Sequence, residues 1–416
     1  MFRHRFFIWT PFQLLAHRAK YTAPLFIKRY QGKSAIQEIA RRHVIPPPPL
    51  SKFAAAGALA PSPEPLVRAT AATATGSRTP FAQDPAIAAL PLPATRLLMI
   101  CPNYFAVNEE TFADNGFARR PFTESPAGRE KAANLVADAQ REHNGLVNAL
   151  QEYSVDLAVF SGLPDCPDGV FVNNILSVHR APHEPPAIVL YPMAHASRRA
   201  ELKREDIFTW IGAQNPSATV IDLRGPDPYA GAARTGAGGS TPAYASLEGT
   251  GSLVLDRRYR VAFAAISNRT YYLKLREFAD ALGYKLIVFH ATTDAHKALR
   301  RSPVYHTNVV LSIGATWAVV ALDAIPAEAE REAVVAHFAA TGRAVVAITI
   351  PQVRAFCGNI LEVTNTAGAR LTVMSETARA AFTAEQRDML GTIVAVPFST
   401  IETYGGGGVR CCLAEI

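Results

Sequence analysis

Cysteine is scarce in this chain, and what there is forms no recognisable pattern. The five thiols (Cys101, Cys166, Cys357, Cys411, Cys412) in 416 residues are an odd number with no CxxC pair and no Cys/His spacing of the zinc type. That argues against a disulfide framework and structural zinc, and for a reducing compartment. Long apolar runs are missing too. None approaches the roughly 20 residues of a membrane helix, and the longest candidate near the start, Phe6 to Ala16, is broken by Pro11 and Gln13, so no membrane partner is expected. The histidines His179, His183 and His195 lack a compact ligand spacing, and no metal is expected on them. The glycine-rich stretch Gly225 to Ser246 has no GK[ST] lysine, which removes the phosphate-loop reading and leaves a mobile surface loop as the expectation.

Acidic residues are nearly absent from the first 43 positions, where nine Lys/Arg face only Glu38. The chain as a whole carries +7, so this segment holds the entire excess and the rest sits near −1. The positive charge therefore does not point to nucleic acid. Residues 1–43, arginine-rich with interleaved Phe, Ile and Leu, read as a mitochondrial-type targeting segment, with a disordered basic arm in a cytoplasmic protein as the alternative. Residues 44–94 hold eleven of the 30 prolines and read as a disordered Pro/Ala-rich linker.

From residue 95 to 416 the texture becomes α/β, and 49% apolar content over the chain is enough for a sizeable core. Short strand-like runs recur: RLLMI from Arg96, VDLAVF from Val155, AIVLYPM from Ala187, TVIDL from Thr219, SLVLD from Ser252, RVAFAAI from Arg260 and KLIVF from Lys285. NVVLSIG from Asn308, AVVAL from Ala318, AVVAITI from Ala344, RLTVMS from Arg370, IVAVPF from Ile393 and the terminal CCLAEI continue the series. Helical patterns lie between them, the first opened by Ser125 and Pro126 as N-cap and N1, others near Arg198, Thr270, Pro326 and Thr377. The grouping predicts a unit of two strands, a helix and a strand, repeated about five times at a spacing near 60 residues. Hairpin-like pairs such as SLVLDRRYRVAFAAI disfavour the doubly wound parallel sheet.

Several chemically capable residues sit at strand starts. His306 precedes one strand, Glu248 stands ahead of a hairpin, and Asp168, Asn173 and Asn174 surround the start of another. Near the end, YGGGGVRCCLAEI puts four glycines just before Cys411 and Cys412. Each has an ordinary alternative: a capping histidine, a turn glutamate, Asx turns, solvated arginines at Arg198 and Arg269, a frayed tail. A thiol nucleophile needs a base and an orienting group, and this set supplies them. If the terminal run is a strand, Cys411 and Cys412 point to opposite faces and only one can line a site.

Taken in order, DGVFVNN, SRRAE, LEGTGSLVLD, SNRT, YHTNV and GGGGVRCCLAEI resemble the guanidino-group-modifying enzymes of the pentein fold. That group includes arginine deiminase, dimethylarginine dimethylaminohydrolase and the amidinotransferases, and the likeness is greatest to the citrulline-hydrolysing amidinotransferase-like branch. The resemblance implies a five-bladed α/β propeller (about five ββαβ units) with the site in a central channel and no cofactor. It implies Cys411 as nucleophile, His306 as acid and base, and Glu248 holding a charged imidazole that lowers the thiol pKa. It assigns Asp168, Asn173, Asn174 and Asn308 to the planar group of a small amino-acid substrate, and Arg198 and Arg269 to its carboxylate. Asparagines at 174 and 308, where arginine deiminase-like enzymes have acids, favour a neutral ureido group such as citrulline's. Arginine deimination, amidino transfer, and a propeller that binds an amino acid without catalysis are the alternatives. Oligomeric state is not readable.

Overall fold

The computed structural model describes residues 94–120, 125–181, 184–225, 245–293 and 303–416. The basic segment 1–43, nearly all of the linker, His183 and most of the glycine-rich stretch (226–244) lie outside the described residues.

The described strands form five three-stranded sheets of one plan. The first joins β1 (Arg96–Ile100) and β2 (Asp156–Phe160) with the last strand, β15 (Ala414–Glu415). The second holds β3 (Leu176–Ala181), β4 (Glu184–Leu190) and β5 (Thr219–Asp222). The third holds β6 (Val254–Asp256), β7 (Val261–Ala265) and β8 (Lys285–Phe289). The fourth is β9 (Leu311–Ile313), β10 (Trp317–Val320) and β11 (Ala344–Ala347), and the fifth is β12 (Leu361–Thr364), β13 (Arg370–Ser375) and β14 (Ile393–Val396). In each, one antiparallel pair is followed by a parallel pair, and a helix supplies the crossover that parallel strands require. A doubly wound sheet is thereby excluded.

The middle strands are largely apolar on both faces, as β7 (VAFAA, wholly buried) illustrates, because each of its faces packs against a helix and a strand of a neighbouring sheet: Val261, Phe263 and Ala265 with Phe338 and Val319, Ala262 and Ala264 with Phe278 and Val189. Helix α1 (Pro126–Glu152) starts where the sequence marks it: Gly128 N donates to the Ser125 side chain and Pro126 occupies the first turn. Its buried Leu135, Ala139, His143, Leu146 and Leu150 recur at helical spacing along one stripe. Helix α2 (Tyr272–Leu282) ends at Gly283, whose φ of 68° suits a left-handed cap.

β15, β3, β6, β9 and β12 each lie at the edge of their sheet, and they meet edges of other sheets. β15 touches β3, β6 touches β9, and β9 touches β12. Arg257 Nη1, just past β6, donates to Val178 O of β3 at 2.9 Å, and Ala94 bridges Val363 of β12. Polar turns precede these edge strands, and those turns carry the site.

Candidate active site

Four short turns converge: Val172–Asn174, Gly249–Ser252, Thr307–Val309 and Val409–Cys412. The last corrects the expectation of a strand at the thiols. Cys411 N donates to Gly408 O and Leu413 N to Arg410 O, a 3₁₀ turn with extended pairing only from Ala414. Successive side chains in such a turn diverge by about 120°, so the two thiols still face different surroundings. The four glycines explain the approach. A Cβ on Gly405 or Gly407 would stand 2.7 or 2.8 Å from the Phe171 ring, and one on Gly408 2.7 Å from Asn359 Oδ1. Gly406 has φ 65°, which a side chain would strain.

Cys411 is 3% exposed. Asn359 Nδ2 lies 3.2 Å from its sulfur and Asn308 Nδ2 3.7 Å. Asn308 Nδ2 also donates to Thr250 O at 3.2 Å, and Asn359 Nδ2 to Asn308 O at 3.0 Å. Cys412 Sγ has only Gly408 O, at 4.0 Å.

His306 Nε2 is 2.8 Å from Glu248 Oε2. Burial would raise the Glu248 pKa, but Arg269, the His306 hydrogen bond and Arg198 hold the carboxylate well below the usual range. An ionised carboxylate only accepts, so Nε2 carries the proton. Nδ1 then has the lone pair, and it makes no hydrogen bond among the described residues. Burial pushes the His306 pKa down to about 4 against the pull of Glu248. Burial also raises the Cys411 thiol, outweighing the Asn359 amide, Arg410 and the Asn308 amide. Burial thus works against the charged form of both groups, and Glu248 and the amides work for it.

Asn174 is held from both sides: Arg198 Nη1 donates to its Oδ1 at 2.9 Å, and its Nδ2 donates to Glu248 O at 3.2 Å. Gly251 lets it approach His306, since a Cβ there would stand 2.7 Å from Nδ1. Asn173 is completely buried with neither side-chain atom hydrogen-bonded among the described residues. Asp168, 3% exposed, accepts from Asn108 Nδ2 at 2.9 Å and Thr111 Oγ1 at 3.0 Å. Neither arginine is solvated, and neither is free. Arg198 forks onto Glu201 through Nε and Nη2, both 2.9 Å. Arg269 pairs with Asp114, donates to Thr111 O at 3.2 Å and lies 5.0 Å over the Tyr305 ring. A substrate carboxylate would have to displace one of these partners. His195 binds Asp114 at 3.0 Å and caps this network; no metal-binding cluster occurs among the described residues.

Sequence reasoning missed Asn359, although a signal existed. Asn174-Ile-Leu, Asn308-Val-Val-Leu and Asn359-Ile-Leu each put an asparagine two or three residues ahead of an edge strand. It also missed Asp114 and Glu201, which partner the arginines from unremarkable surroundings.

A buried thiol with amides at its sulfur and an imidazole oriented by a carboxylate are the parts a cysteine-dependent hydrolase uses. Residues 101–416 match the family described as N,N dimethylarginine dimethylhydrolase, eukaryotic, and the chain belongs to that family within the arginine-modifying, amidinotransferase-like penteins. It is accordingly a hydrolase acting on carbon–nitrogen bonds other than peptide bonds. Among solved structures, the product-bound N-terminal domain of ArgZ, an arginine dihydrolase of cyanobacteria, is 16% identical with a TM-score of 0.53, covering 77% of this chain and 97% of that one. Full-length apo ArgZ is also 16% identical with a TM-score of 0.54, but only 40% of its length is covered. Unliganded AgrE gives 16%, 0.53, and coverage of 76% and 38%. At these identities the likeness shows the pentein fold alone. No curated protein sequence matches the chain.

Proposed function

We propose that the chain hydrolyses the terminal planar group of a citrulline- or arginine-type amino acid through a covalent bond to Cys411, with citrulline's neutral ureido group favoured. In this reading the five sheets are blades of a closed ring, and the four turns line its channel. His306 Nδ1 takes the thiol proton, sulfur attacks the central carbon, and the C–N bond breaks as the leaving nitrogen receives that proton. Water then adds, its proton returns through His306, and the S–C bond breaks to regenerate the thiol. Asn174 and Asn308 orient the planar group, and Arg269 takes the carboxylate by exchange with Asp114 while Arg198 holds Asn174 and Glu248 in place.

The carrying observation is that, among the described residues, the side chains hydrogen-bonded to the Cys411 sulfur are the neutral amides of Asn308 and Asn359. An amide can donate to a ureido oxygen and accept from the adjoining nitrogen, whereas a carboxylate can only accept. Asp168 supports the second reading, a guanidino substrate, because a buried guanidinium needs an anionic partner. The family's description, which names dimethylarginine, and ArgZ's, which names arginine, lean the same way. Mass spectrometry of products from citrulline, arginine and methylated arginines, with kcat/KM for each, decides. Citrulline should give the higher value, and Asn174→Asp combined with Asn308→Asp should shift the ratio toward arginine. A wild-type preference for arginine overturns the ureido reading, and no turnover of any of them overturns the substrate class.

A further inference from the structure

The edge strands leave the catalytic turns and end at a second cavity of about 380 Å³, lined by none of Cys411, His306, Glu248 or Asp168. Five arginines line it: Arg96, Arg180, Arg257, Arg343 and Arg410. Two are matched by a carboxylate, Arg96 by Asp156 at 2.6 Å and Arg343 by Asp256 at 2.7 and 3.1 Å. The other three have one carboxylate between them at ion-pair distance. Arg410 Nη2 and Arg257 Nε share Glu415, at 2.8 and 3.5 Å, and Arg180 bonds only the neutral amide of Asn215, at 3.0 Å. Glu362, the remaining acidic side chain of the lining, accepts from Ala315 N at 2.7 Å, and burial raises its pKa. Arg257 Nη2 has no hydrogen-bond partner among the described residues. Burial and the crowding cations Arg257 and Arg96 lower the Arg180 pKa.

The geometry points to a second ligand site here, lined by none of the proposed catalytic side chains, that takes one small anion bearing a carboxylate or phosphate between Arg180 and Arg257, with Arg410 behind them. The guanidinium fork suits both groups because it can give each two parallel charge-assisted hydrogen bonds. Such an anion would supply the acceptor that Arg257 Nη2 lacks and a charged partner for Arg180, which has none among the described residues. The site also touches the chemistry, since Arg410 and Cys411 are neighbours in one turn. Arg410 is among the groups that favour the thiolate, so an anion beside it slows attack by the sulfur.

Calorimetric titration of the full chain with inorganic phosphate and, separately, with succinate at constant ionic strength tests the site. One titrant should bind at equimolar ratio, and the tighter of the two identifies the anion class. Arg180→Gln and Arg257→Gln should each weaken binding about tenfold or more while leaving anion-free turnover unchanged. Should the Arg257→Gln chain not fold, Arg257→Lys keeps the charge and loses the fork, and serves instead. Saturating anion should slow iodoacetamide labelling of Cys411 in the wild type and not in the variants. No heat from either titrant at millimolar concentration, or equal affinity in wild type and variants, overturns the proposal.

Discussion

At the scale of residues, adjacent thiols with nearly equal burial have different chemistry. Cys411 has two amide donors at its sulfur, whereas burial, unrelieved by any donor, raises Cys412 further. Alkylation followed by peptide mass spectrometry should therefore modify Cys411 first, and Cys411→Ser should abolish turnover. Equal labelling of both would remove the assignment. Because burial raises the Cys411 thiol above its ordinary value of 9.0, labelling of the empty enzyme should still be accelerating at pH 9. Asn359→Ala removes the nearer donor. Its kcat/KM should fall by on the order of 100-fold, as when a donor to a developing anion is lost, and its labelling profile should move to higher pH. An unchanged profile would mean that Asn359 only packs.

Elements explain what could be read in advance and what could not. RLLMI, KLIVF and RLTVMS form β1, β8 and β13 with the bounds their composition suggests, because apolar β-formers ended by polar residues leave little choice. Strand β12, LEVT, escaped notice: four residues with a central Glu362 carry no periodic signal of their own. Asn359 was lost with it, since its meaning comes from the strand it precedes. Glu248, His306 and Cys411 could be picked out together because each stands just ahead of an edge strand. The partners of Arg198 and Arg269 were not, since ion pairs across the fold leave no local pattern. Helix α1 carries another unadvertised feature, His143, which is fully buried and whose ring nitrogens have no well-formed hydrogen bond among the described residues, the neighbouring Asn144 side chain being the one group that favours its charged form. An unpartnered buried polar group costs about 1–3 kcal/mol. His143→Phe should raise Tm at pH 7, and a lower Tm would show that the ring has a partner beyond this account.

For the whole molecule, buried histidines set the response to acid. Burial lowers His143 and His306 to about 4 and His179 well below 6.5. The unfolded chain takes up protons near 6.5 that the folded chain refuses, so stability falls as pH drops from 6.5 toward 4. Thermal unfolding between pH 7.5 and 5 should show this loss, and His143→Phe should lessen it. A chain beginning at Pro93 should keep full specific activity, since every site residue lies later and the bridging Ala94 is retained. Lost cooperativity in its unfolding would show that residues 1–92 pack on the rest.

Ile416 N donates to Arg96 O at 3.1 Å, and β15 completes the sheet that β1 begins. The two ends of the described chain are thus laid side by side, and topologically the domain is a loop lacking a single join. A few residues inserted between Ile416 and Ala94 would supply that join, and new ends could be cut between Gly225 and Ala245. Cys411 would then sit mid-chain, its neighbourhood unchanged. Nothing in the proposed chemistry requires the nucleophile to follow the other site residues; each strand needs its neighbours, and none has to come first.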